Sequence, residues 1–227
     1  LRKTLFGQAK RIIAQTNYAA NVIRKQTKQE NIQIIPNPVR QFRYLNTNKE
    51  NIILNISRLI EGKGHKDLIY IFSQLKVENW KLVLVGDGPL REELKEYANK
   101  LNVKNNVFFE GFQWDIDKYL NKAKIFAFTS YSEGFPNALL EAMAFSLPCI
   151  SYNCKAGPDE IIKNGYNGFL ISVGDIREYI NKLNILSSNE HLRNKFQINA
   201  KEIKTKYSVE NIGNRYLELF KEDINEI

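Results

Sequence analysis

Residues 51–90 read NIILNISRLIEGKGHKDLIYIFSQLKVENWKLVLVGDGPL. Two short runs, NIILNI (51–56) and KLVLV (81–85), are almost wholly Ile, Leu and Val, which suits strands buried on both faces. Between them the stretch 65–76 has a helical pattern, and each run leads into a turn that holds glycine. Working outward, the alternation continues. Strands are expected at 11–15, 32–35, 106–109, 124–128, 148–152 and 168–171, and helices at 17–28, 89–101, 116–121 and 136–145. Beyond 171 the pattern changes to three successive helices at 175–187, 189–204 and 208–222. Strand and helix in alternation predict an α/β fold, a doubly wound parallel sheet of Rossmann-like type followed by C-terminal helices. The segment 36–50, PNPVRQFRYLNTNKE, is polar and aperiodic and marks a boundary. Upstream lies one strand, helix and strand, too little to bury a core alone; downstream lies a complete domain.

With 227 residues, 43% of them hydrophobic, the chain has material for a sizeable core. No run of about 18 apolar residues exists, so no membrane-spanning helix is expected. The first residue is Leu1 rather than Met, which suggests a piece of something longer. Residues 1–50 hold ten Lys or Arg against two Glu and so carry the whole net charge of +8. Such a segment can attract nucleic acid, anionic lipid or a phosphorylated substrate, or simply face solvent or a missing domain. No nucleic-acid motif accompanies it, so no nucleic-acid partner is expected. Cys149 and Cys154 are too few for a zinc site, and two cysteines in so long a chain fit a reducing cytoplasm.

Ligands of open parallel sheets bind where strand ends enter loops, and three such loops carry chemistry. After the strand at 51–56, Arg58 and Lys63 flank a turn with Gly62 and Gly64, two cations suited to a pyrophosphate. VGDGPL (85–90) lacks the third glycine of a dinucleotide fingerprint, and reads as a tight turn with Pro89 at the first helical position. The third loop, SEGFPNALLEAMA (132–144), puts Pro136 at the first helical position, leaving the amides of Asn137, Ala138 and Leu139 to face an anion. Gly134 admits a ligand close to the backbone. Glu141 stands in an otherwise apolar helix, where a carboxylate must meet either a protein cation or a ligand's hydroxyls. Its lean toward the helix start aims it at whatever the amides hold, and a ribose is the group expected there. The competing expectation pairs Glu133 and Glu141 with cations of the chain. The acidic pair Asp115 and Asp117 in WDIDKYL could hold a metal, but reads better as the acidic first turn of a helix.

Together, SRLIEGKG, VGDGP, EGFPNALLEAMA with its Glu133-to-Glu141 spacing, and EII..GYNGFLI resemble glycosyltransferase family 4, retaining enzymes of the GT-B fold. The resemblance implies that residues 1–38 are the tail of an acceptor-binding N-terminal domain. Residues 39–204 would form the nucleotide-sugar-binding domain, and 205–227 a C-terminal helix packing back toward the N-terminal domain. It also implies a hexosyltransferase, inactive as an isolated fragment, with a nucleoside-diphosphate sugar as donor, UDP-linked by preference, and no metal or other cofactor. The acceptor would be a glycan or a lipid-linked oligosaccharide, met in the cytoplasm at the inner face of the cell membrane. By this likeness Arg58 and Lys63 bind the pyrophosphate and stabilise it as it leaves, Glu133 faces the transferred sugar, and Glu141 holds the ribose. Gly134, Phe135, Asn137, Ala138 and Leu139 grip sugar and phosphate, while Gly111, Phe112 and Gln113 line the base pocket. Where many members carry two glycines, this chain has CKAGPDEII (154–162), a string similar to those of transferases that add N-acetylhexosamine or galactose.

Overall fold

The computed structural model describes residues 2–225. Leu1, Glu226 and Ile227, the outermost residues of the expected segments 1–38 and 205–227, lie outside the described residues. The chain opens with α1 (Arg2–Gln8), β1 (Ile12–Ala14), α2 (Asn17–Thr27) and β2 (Ile32–Ile34). Here β1 and β2 form a two-stranded parallel sheet. Then come β3 (Ile52–Ile56), α3 (His65–Ser73), β4 (Lys81–Val85), α4 (Arg91–Lys100), β5 (Val107–Gly111), α5 (Asp117–Lys122) and β6 (Ile125–Phe128). The chain continues with α6 (Asn137–Ala144), β7 (Cys149–Tyr152), α7 (Pro158–Ile161), β8 (Gly168–Ile171), α8 (Ile176–Ser188), α9 (Glu190–Lys206) and α10 (Val209–Asn225).

Six strands form one wholly parallel sheet in the order β5-β4-β3-β6-β7-β8. The expected doubly wound α/β class is therefore what the chain adopts, and alternation along each strand explains the two faces. Leu54, Val83, Val85, Phe126 and Phe128 turn to the side covered by α6 and α9. Their neighbours Ile53, Leu82, Leu84, Ile125 and Ala127 turn to the side covered by α3, α4 and α8. Both clusters are deeply buried, and at about 25 cal/mol per Å² of apolar surface this burial is the dominant force holding the fold. At the far end α10 lays Ile212, Tyr216 and Leu219 against Ile35, while Arg215 Nη2 donates to Ile34 O at 2.5 Å, so the last helix packs on the small sheet.

Four local readings need correction. Helices α1 and α7 were not expected; α1 offers no apolar period long enough to see, and α7 is a four-residue turn started by Pro158. Neither proline holds a first helical position: α4 begins at Arg91 after Pro89 and Leu90, and Pro136 is the N-cap of α6, its carbonyl accepting from Leu140 N at 3.0 Å. Among the described residues no helix is long and apolar enough to cross a membrane.

Candidate functional site

The strand order reverses between β3 and β6, which pair at Ile53↔Ile125 and Leu54↔Phe126, and it is at such a switch point that open α/β sheets bind ligands. The two loops leaving those strands are the ones that sequence singled out. They are bound to each other: Tyr131 N donates to Gly62 O at 2.8 Å and Thr129 Oγ1 to Lys63 O at 3.1 Å. Gly64 sits at φ +67, where a Cβ would lie 2.0 Å from Thr129 O, so only glycine allows this approach.

Beneath the first loop runs a buried polar chain. Asn55 Nδ2 donates to Ala127 O at 2.8 Å, Ser57 Oγ to Asn55 Oδ1 at 2.8 Å, and Ser57 Oγ lies 2.9 Å from His65 Nε2. Burial first, and Lys63 nearby second, push the imidazole down to about 4, so it is neutral at neutral pH. Asp67, one turn into α3, accepts from Tyr152 OH at 2.9 Å and so ties that helix to the end of β7.

The site residues fall into groups. Lys63 Nζ meets Glu133 Oε1 at 2.6 Å, with only 17% and 12% of the two side chains exposed. Arg58 is exposed at the end of β3 and among the described residues meets no carboxylate. Glu141 is partly rather than fully buried: α6 hides Leu139, Leu140, Ala142, Met143 and Ala144, but the Glu141 side chain keeps 24% exposure and Oε2 lies 3.4 Å from Arg40 Nε. Burial raises its pKa, and Arg40 works against that rise. Both glutamates thus meet a cation of the chain, the competing expectation. The amides of Ala138 and Leu139 have no partner within the described residues, while Asn137 N turns back to Phe135 O at 3.0 Å. Around Gly134 a Cβ would meet nothing within 4 Å, so the chain itself does not require glycine there. Gly157, at φ +125, packs against Pro136, and Ser132 bridges to Lys155, which fastens the CKAG turn beside the loop.

Gly111, Phe112 and Gln113 leave β5 at the same end of the sheet, two strands from the switch point. Gln113 Nε2 donates to Glu110 O at 2.7 Å, and Phe112 sets its ring edge-on to Trp114, which is 92% exposed.

Sequence reasoning missed the partners supplied by segment 36–50. Asn37 Nδ2 donates to Asn137 Oδ1 at 2.8 Å, and Arg40 reaches Asp117 as well as Glu141. Arg43 pairs with Asp115. Asp115 and Asp117 are therefore a clamp on two arginines, more than an acidic first turn. No local feature of the sequence signalled these pairings, since Arg40 and Arg43 are three apart and Asp115 and Asp117 two apart. Among the described residues no three His, Cys, Asp or Glu side chains cluster as metal ligands.

Residues 39–203 match the family model described as glycosyl transferases group 1. The chain belongs to that family. It is 39% identical over 126 residues to lipopolysaccharide 1,6-galactosyltransferase of Escherichia coli, covering 54% of this chain and 35% of that protein. It is 33% identical over 153 residues to the Campylobacter jejuni N-acetylgalactosamine-N,N'-diacetylbacillosaminyl-diphospho-undecaprenol 4-alpha-N-acetylgalactosaminyltransferase, covering 67% of this chain and 42% of that one. Among solved structures, a variant of S. aureus TarM in complex with Fondaparinux, alpha-GlcNAc-glycerol and UDP superposes with TM-score 0.87 at 28% identity, over 96% of this chain and 46% of TarM. The chain thus spans less than half the length of those proteins. Its fold is that of the GT-B glycosyltransferases.

Proposed function

We propose that this chain is the donor-binding half of a retaining enzyme of glycosyltransferase family 4, moving a hexose or N-acetylhexosamine from a UDP-sugar to a glycan or lipid-linked oligosaccharide. The observation that carries the reading is the meeting of Lys63 and Glu133 at the switch point, beside an α6 start whose amides of Ala138 and Leu139 have no partner within the described residues. A helix start and fixed cations in a partly dry site stabilise charge that grows on a departing diphosphate. Arg58 and Lys63 take that charge, the amides from Gly134 to Leu139 hold sugar and phosphate, Glu133 faces the sugar and Glu141 accepts from the ribose. Gly111, Phe112 and Gln113 line the base. The incoming hydroxyl attacks from the face the diphosphate leaves, with no covalent enzyme intermediate. Since these groups supply the positive charge themselves, activity is expected to survive chelators.

Glu141→Gln tests the ribose assignment, because the amide keeps the shape and loses the charged acceptor. A hydrogen bond to a charged group is worth about 1.5–3 kcal/mol, so calorimetry should show UDP affinity falling by about tenfold or more. Equal affinity in variant and parent would refute it. A second reading is favoured by how little of its relatives' length the chain spans: the isolated chain binds donor and transfers nothing. Binding of UDP without turnover in a transfer assay would support it.

The acceptor side is proposed to lie at the inner membrane face. Among the described basic residues of segment 1–50, Arg11 is committed to Glu222, Arg40 and Arg43 to aspartates, and Lys49 to the carbonyls that end α5. Lys25 and Lys28 remain exposed on or beside α2. The protein should sediment with anionic vesicles at low salt and leave them as ionic strength rises through about 0.15 M, where the Debye length is about 8 Å. Substituting Gln for Arg24, Lys25 and Lys28 together should weaken that association; a parent protein that ignores such vesicles at low salt removes the membrane from the account.

A further inference from the structure

Arg40 lies in the segment 36–50 and is spread over two carboxylates from different elements. Its Nη2 meets Asp117 Oδ1 at 2.5 Å and its Nε meets Glu141 Oε2 at 3.4 Å. Asp117 is itself held, because its second oxygen accepts from Arg43 N at 2.9 Å. The backbone there is fixed again by Asn121, which accepts from Leu45 N at 2.8 Å and donates to Arg43 O at 2.9 Å. The guanidinium is therefore anchored from the α5 side through Nη2 and on Gln41 O through Nη1, at 3.1 Å, and reaches across to α6 with Nε. Glu141 has one oxygen on Arg40, while among the described residues Oε1 has no partner.

We propose that Arg40 is a positioning residue of the donor site: braced on Asp117, it holds Glu141 by Oε2 and turns Oε1 toward the vicinal hydroxyls of the nucleoside. This rests on the reading of Glu141 as the ribose acceptor. A planar, permanently charged fork is suited to the task, since one of its nitrogens can brace on one carboxylate while the next orients the second. Arg40 also works against the desolvation that raises the pKa of Glu141. Asn37, three residues earlier, does the like for Asn137, whose Oδ1 it occupies at 2.8 Å. The segment that sequence reads as a mere boundary therefore sets two side chains of the donor site.

The test compares UDP with UDP lacking both ribose hydroxyls, titrated into the parent protein, Arg40→Met and Arg40→Lys. The parent should prefer UDP by about tenfold or more, the size expected for hydrogen bonds to a charged acceptor. In Arg40→Met that preference should shrink to about threefold or less while affinity for the dideoxy ligand stays unchanged, and Arg40→Lys, keeping the charge, should restore part of it. If Arg40→Met weakens both ligands equally, or leaves the preference intact, Arg40 does not position Glu141 and the proposal falls while the ribose assignment stands. If the parent itself fails to distinguish the two ligands, the ribose assignment falls and takes the proposal with it. Retained melting temperature in Arg40→Met separates these outcomes from loss of fold.

Discussion

Lys63→Ala should lower turnover of the full-length enzyme by about 10²- to 10³-fold, the loss found when one preorganised electrostatic partner of a transition state is removed. Lys63 is the most constrained cation of the site, held to Glu133 at 2.6 Å between the two switch-point loops. In the proposed reaction its charge matters most when the diphosphate departs, so the loss should appear in kcat and not in KM alone. Arg58→Ala should act in the same direction, since an exposed arginine at the end of β3 adds charge to the same loop. Removing Lys63 also leaves Glu133, only 12% exposed, without its cation, which costs stability as well. Kinetics well below the melting temperature of the variant keep the two effects apart. Turnover within about threefold of the parent would remove Lys63 from the chemistry.

Gly64→Ala should be among the most damaging single-methyl changes in the chain. A residue with a Cβ is strained at φ +67, and the methyl would sit 2.0 Å from Thr129 O and 2.9 Å from Thr129 C, both backbone atoms. Left-handed strain of about 1–2 kcal/mol and overpacking of about 1–3 kcal/mol together predict about 3 kcal/mol of destabilisation, a fall in Tm of about 10 °C. Because relief requires the two loops to part, Lys63 and Glu133 should separate and donor binding weaken too. Gly134→Ala is the control. A Cβ there meets nothing within 4 Å, so Tm should hold while donor affinity falls, if a ligand fills that space. A parent-like Tm for Gly64→Ala would mean that the loops are not packed as described.

Why the sheet was legible in the sequence and parts of the site were not follows from the range of the forces involved. Strands such as β4 and β6 are short runs of apolar residues, buried on both faces, and each residue's neighbours along the chain already show this. Glu141 was visible because a carboxylate amid Ala, Leu, Met and Phe must be explained locally, and Glu133 because the loop motif that holds it resembles a known family's. Their immediate partners were legible to different degrees. Lys63 carries a motif of its own, whereas Arg40 lies 101 residues from Glu141 in a stretch with no periodicity, and nothing local says where it docks. The Asp115 and Asp117 pair misled for the same reason. A helix start explains acids well enough that their second use, clamping Arg43 and Arg40, shows only once the segment 36–50 is laid against α5. The position of Pro136 erred by one residue, since the carbonyl of the proline and not its ring starts the helix.

The central claim is that the switch-point loops form a nucleoside-diphosphate site, and a crystal structure of the protein soaked with UDP tests it most directly. The account predicts the diphosphate against Lys63, Arg58 and the amides of Ala138 and Leu139, with the ribose hydroxyls on Glu141 and the base over residues 111–113. UDP bound elsewhere on the sheet, or bound there with Glu141 turned away from the ribose, would contradict it.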